Sequence, residues 1–150
     1  MPTIYAIFKS KRGVLAALVD EALPQKRFTA LVDEGMRQES AEKHIEISAK
    51  MARQIYDAEK ELIDILRGAS VLSLELKELE QEREKRRYER QGESAKKLME
   101  QTKLSPVKIR DILWAFTGRD MYRLFIIERG WSSDAYETWL AETLKKLLLQ

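Results

Sequence analysis

The chain has 150 residues, 44% hydrophobic and 35% charged, with a formal net charge of +2 and no cysteine. This excludes a disulfide framework and thiolate chemistry, fits a reducing cytoplasm, and gives no strong nucleic-acid footprint in the total charge. No apolar stretch approaches the ~20 residues of a membrane span, and Lys9, Lys11 and Arg12 interrupt the start where a signal peptide would be apolar, so one globular domain without membrane contact is expected.

Proline occurs at positions 2, 24 and 106, and glycine at 13, 35, 68, 92, 118 and 130. Between these marks apolar residues recur in steps of three and four, without sustained alternation. The pattern predicts an all-α protein with helices over 3–8, 11–23, 25–37, 41–68, 73–101, 106–117, 119–129 and 133–148. Ser105 before Pro106 reads as an N-cap followed by proline at the first helical position, where a missing N–H is harmless. Thr117 stands three residues before Asp120, as in a capping box. Ser132 can cap the last helix, with Trp131 and Tyr136 placed as a hydrophobic staple and Asp134 adding negative charge to the first turn. Gly68 and Gly130 suit left-handed turns at helix ends.

The stretch KELEQEREKRRYERQGESAKK (77–97) is densely charged. Lys85-Arg86-Arg87 could bind phosphate, but acids interleave throughout. The reading adopted is a solvated helix face with pairs such as Glu82–Arg86 one turn apart. His44 is the sole histidine, so any zinc site or Ser-His-Asp triad would have to use it. It falls near the start of a predicted helix, where a partly exposed histidine is ordinary. Glu39, Glu42 and Glu46 could share a face, again as surface charge. There is no HExxH, no ExxH and no glycine-rich phosphate loop. No catalytic residue, metal site or cofactor is expected.

Pockets in all-α proteins lie between helices and are mostly apolar. Met51, Ile55, Tyr56, Leu62, Trp114 and Phe116 are the residues expected to line one, with plain core packing as the alternative for each. Near the C-terminus, Tyr122, Phe125 and Ile126 on one helix and Tyr136, Trp139, Leu140, Leu144 and Leu147 on the next form wide apolar surfaces. A single chain is not expected to cover both, so these residues are assigned to a two-fold homodimer interface.

Two segments carry a family resemblance. In MPTIYAIFKSKRGVLAAL, residues Thr3, Ile4, Tyr5, Phe8, Ser10 and Lys11 match in order and spacing the recognition helix of TetR-family transcriptional regulators and the start of the helix that follows it. Residues 105–149, and GRDMYRLFIIERGWSSDAYETWL (118–140) above all, resemble the last helices of that family's regulatory domain, which pair with a second subunit as a four-helix bundle. The middle agrees in helix layout only.

The resemblance implies a TetR-type helical regulatory and dimerisation domain over residues 11–150, preceded by a remnant recognition helix over 1–10. It places Thr3, Tyr5 and Lys11 at DNA. Hydroxyl and ammonium groups suit phosphate oxygens there. A helix-turn-helix also needs an earlier helix to brace the reading helix. The chain therefore reads as a fragment, or as a gene start placed too late. The expected function is a ligand-responsive regulator, repressor or activator, in which an unknown small-molecule effector controls DNA binding and operator DNA is a partner of the intact protein only. The competing expectation is a stand-alone helical dimeric module that never binds DNA.

Overall fold

The computed structural model describes residues 25–149. Every regular element among them is helical. The predicted helices 3–8 and 11–23, with Thr3, Tyr5 and Lys11, lie outside the described residues. α1 (Gln25–Arg37) and α2 (Ala41–Glu59) are joined by a short turn in which Ser40 caps α2, its side chain accepting from the Lys43 amide. This satisfies one of the donors that every helix start leaves unpaired. A 3-10 turn (Lys60–Leu62) leads into α3 (Ile63–Leu72), and α4 (Leu74–Leu98) follows. A second 3-10 turn (Met99–Gln101) precedes α5 (Pro106–Phe116). α6 (Arg119–Tyr122) runs on as a π-helical turn (Arg123–Glu128), and α7 (Ser133–Leu148) comes last.

Ser105 and Ser132 cap α5 and α7 as their positions predict, accepting from the amides of Lys108 and Ala135. Gly130 adopts φ 73°, the left-handed conformation expected between α6 and α7. Other local expectations are corrected. The single helix predicted over 41–68 is interrupted at Lys60–Leu62, with no glycine or proline to mark the place. Gly68 ends nothing; α3 runs through it to Leu72. Thr117 does not N-cap α6 but ends α5: its hydroxyl donates back to the Leu113 carbonyl, and Gly118 takes the N-cap position without a side-chain bond. Trp131 makes its ring contacts with Phe125 and Trp139 rather than Tyr136.

α2 lies between α1 and α7, while α4 packs on α5 and α3, and α5 also meets α7. Ile45, Ala49, Ala52 and Tyr56 form one stripe of α2, at helical spacing. They share a core with Ile109 and Leu113 of α5, Tyr122 of α6, and Tyr136, Leu140, Leu144 and Leu148 of α7. Each fully buried Leu or Ile contributes roughly 1.5–3 kcal/mol. Arg53 of α2 pins α7, reaching Asp134 at 2.6 Å and Glu137 at 3.3 Å. Lys145 pairs with Glu46 at 2.6 Å near the other end of the same contact.

This packing revises the expected dimer surface. Tyr122, Ile126, Tyr136, Leu140 and Leu144 are all buried within the single chain, because α2 and α5 supply the cover that a second subunit was expected to provide. Phe125 and Trp139 are half-buried, and Leu147 is exposed.

Candidate functional site

A cavity of about 240 Å³ opens between α1, α2 and α4. The amphipathic pattern of α1 builds its first wall, with Phe28, Leu31 and Val32 at i, i+3 and i+4 and Met36 one turn further. α2 contributes Met51, Ala52, Ile55 and Tyr56, again one face of a helix. α4 contributes Arg87, Arg90, Gln91, Glu93 and Ser94, so the third wall is polar. Of the residues expected to line a pocket, Met51, Ile55 and Tyr56 do so. Leu62 and Phe116 do not: Leu62 sits in the 3-10 turn after α2 and Phe116 packs on the core, while Trp114 lines a separate, more open pocket between α4 and α5 with Tyr88 and Asp111.

His44 also lines the cavity, which the sequence did not suggest. It is 3% exposed, because α1 folds over it. Its Nδ1 stands 2.8 Å from the Gly35 carbonyl oxygen. A carbonyl only accepts, so Nδ1 carries the proton and Nε2 is an acceptor. Nε2 is buried and has no hydrogen-bond partner among the described residues. Burial, aided by the charge of Lys97 and opposed by the bond to Gly35, lowers the His44 pKa and so favours the neutral ring. Tyr56 is fully enclosed, and burial above all pushes its phenol up to about 12.

The two arginines of the polar wall differ. Arg87 is held on several sides. It donates to Glu84 at 2.8 Å and to the Thr117 hydroxyl at 3.2 Å, and its guanidinium lies over the Trp114 ring, 5.2 Å from the centroid. Gln91 donates to the same Thr117 oxygen at 3.4 Å. Arg90 stands at the exposed rim with its guanidinium 4.8 Å over the Phe28 ring, and it pairs with no carboxylate among the described residues. Partial burial, then the charges of Arg87, Arg86 and Arg83, lowers its pKa.

The dense charge run is therefore not only a solvated face. Arg83 turns inward to Glu59, which is 3% exposed, at 2.8 Å, and Glu80 pairs with both Arg83 and Arg119. Burial raises the Glu59 pKa, against the pull of Arg83 and Arg119. This network braces the polar wall from behind. Sequence reasoning missed α1 as a wall, although the spacing of Phe28, Leu31 and Val32 carries the signal. The inward turn of Arg83 carries none, since its partner lies 24 positions away.

Among the described residues there is no group of three or more His, Asp or Glu placed to hold a metal ion, and no helix is long and apolar enough to cross a membrane. The site is thus a mostly apolar cavity with one buried histidine in its lining and one arginine at its rim. No protein-family model, curated protein or solved structure matches the chain.

Proposed function

We propose that the chain is a ligand-responsive transcriptional regulator of the TetR type, with residues 11–150 as its effector-binding and dimerisation domain. The observation that carries this reading is the mostly apolar cavity between α1, α2 and α4. The resemblance of residues 3–11 and 105–149 supports the regulatory part. α1 follows directly on the segment that the resemblance assigns to the link with the DNA-reading head. A ligand seated against Phe28 and Leu31 acts on that link only through different affinity for two arrangements of α1. The effector is a small molecule, and operator DNA is the macromolecular partner.

The homodimer is part of this proposal, on a smaller surface than the sequence implied. Phe125, Trp131 and Trp139 form an aromatic cluster with centroids 4.4 and 4.5 Å from Phe125, flanked by exposed Leu124 and Leu147. Aromatic anchors of this kind dominate interface energy. The same cluster favours a second reading, a dimeric interaction module without DNA binding. Selection of genomic DNA fragments by the protein of the full reading frame separates the two. The regulator enriches a two-fold symmetric sequence, whereas a protein that dimerises yet enriches nothing is the module.

A further inference from the structure

We propose that the cavity takes an apolar monoanion: a hydrocarbon body between α1 and α2, and a single acidic head at the guanidinium of Arg90. This rests on the reading of the cavity as an effector site and specifies its ligand. The body follows from the walls and the volume. Leu31 and Val32 of α1 and Met51 and Ile55 of α2 line about 240 Å³, more than the ~150 Å³ that holds benzene in an engineered apolar cavity. His44 offers the body no polar partner, because Nδ1 is bonded to Gly35 and Nε2 is closed off. The head follows from the charges of the third wall. Arg87 is neutralised by Glu84 at 2.8 Å, and Glu93 pairs with Lys96 at 3.5 Å. Arg90 is then the one charge of the lining without a counter-ion among the described residues. Its guanidinium lies 4.8 Å over the ring of Phe28, which lines the cavity too, so cation and apolar wall adjoin at the rim. Partial burial, and then the like charges of Arg87, Arg86 and Arg83, weigh against its protonated form, and an anion placed there offsets them.

The test uses the full chain and four probes: 3-cyclohexylpropanoate, the matching alcohol 3-cyclohexylpropan-1-ol, the matching amine 3-cyclohexylpropan-1-amine, and propanoate. The first three share the body and differ in the charge of the head, and propanoate has the head without the body. Calorimetric titration should show 3-cyclohexylpropanoate binding about tenfold tighter than the alcohol, the scale of one hydrogen bond to a charged group, and the amine weaker still. Propanoate should bind at least about a hundredfold more weakly, since six buried carbons are lost. Arg90→Gln should erase the preference for the acid, and Arg90→Lys should keep it. An arginine that merely braces Phe28 would instead change all three cyclohexyl probes alike and gain nothing from lysine. Methyl NMR locates the body: the signals of Met36 and Met51, which line the cavity, should move, and those of Met99 and Met121, which do not, should stay. Equal binding of acid, alcohol and amine overturns the ligand class while leaving the cavity as a binding site. Shifts at Met99 or Met121 with none at Met36 and Met51 place the probe elsewhere and overturn the proposal. Binding by none of the four at millimolar concentration overturns the ligand class and the effector site together.

Discussion

Tyr122 Oη donates a 2.6 Å hydrogen bond to Asp57 Oδ1, joining α6 to α2. The Tyr122 ring is fully buried, with the rings of Tyr56 and Tyr136 at 5.6 and 5.4 Å, so only its hydroxyl reaches a polar partner. Burial raises the Asp57 pKa, but the bonds from Tyr122, Ser133 and Arg53 outweigh it and hold the carboxyl below its ordinary value. Tyr122→Phe keeps the ring and deletes the bond. Asp57 is 34% exposed and retains two partners, so the loss falls at the low end for a bond to a charge. It should be about 1–2 kcal/mol, or roughly 2–4 °C in melting temperature per kcal/mol. A group with a depressed pKa stabilises above its unfolded value and loses that contribution as pH falls through the folded one. Urea titrations of the two proteins should therefore converge in acid; a gap that persists unchanged at pH 2 contradicts the assignment.

The Arg83–Glu59 pair makes a larger prediction. Removing Arg83 strands a carboxylate that is 3% exposed, and breaking such a pair destabilises by about 3–5 kcal/mol. Arg83→Ala should show that loss in denaturant unfolding. Arg83→Met combined with Glu59→Leu should recover most of it, since two apolar residues leave no buried charge. A double variant as unstable as Arg83→Ala argues that the pair does more than neutralise itself.

Two glycines should respond in opposite directions to alanine. At both, an added Cβ has nothing within 4 Å, so sterics do not decide. Gly68 lies inside α3, where alanine gains about 0.5–1 kcal/mol through helix propensity and chain entropy. Gly130 has φ 73°, where a side chain costs about 1–2 kcal/mol. Thermal melts should show Gly68→Ala above and Gly130→Ala below the unsubstituted chain, and the same sign for both would be wrong.

His44 should make stability depend on pH in the mildly acidic range. Burial lowers its folded pKa below 6.5, so between the two values the unfolded chain binds more protons. Stability is therefore full above about pH 6.5 and declines as pH falls toward the folded value. A His44→Leu variant should lack this slope while keeping the later loss due to Asp57. Parallel slopes in the two proteins between pH 7 and 5 would show that His44 is not the group responsible.

The dimer surface yields a paired test. Phe125→Glu, on the half-buried cluster, should give a folded monomer by light scattering and circular dichroism. Leu144→Glu, in the core, should unfold the chain. A folded monomer for the unsubstituted protein at micromolar concentration removes the dimer altogether.

The helix layout was largely legible because its signals are local. Ser105-Pro106 and Ser132 mark starts through bonds spanning three residues, and Gly130 marks a turn that needs positive φ. The break at Lys60–Leu62 has no such signal. Half of the expected pocket lining was legible too: Met51, Ile55 and Tyr56 follow from the stripe of α2. Trp114, although large and apolar, meets Arg87 and Tyr88 of α4, on the side of that helix away from the cavity. The burial of His44 is not legible from its own position, because it depends on α1 folding back across it, with the Gly35 carbonyl nine residues away as its partner. Tyr122, Tyr136, Leu140 and Leu144 show the deepest ambiguity. An apolar stripe reads identically whether its own chain or another covers it, and only the placement of α2 decides.

The pairing of α2 with α7 also has a consequence in time. Arg53 and Asp134 are 81 positions apart, and Glu46 and Lys145 are 99 apart. At roughly 5–20 residues per second on the ribosome, the inner stripe of α2 waits on the order of 4–20 s for the helix that covers it. A nascent chain halted before residue 133 would present Ile45, Ala49 and Tyr56 uncovered, a surface for chaperones to hold until α7 has been made.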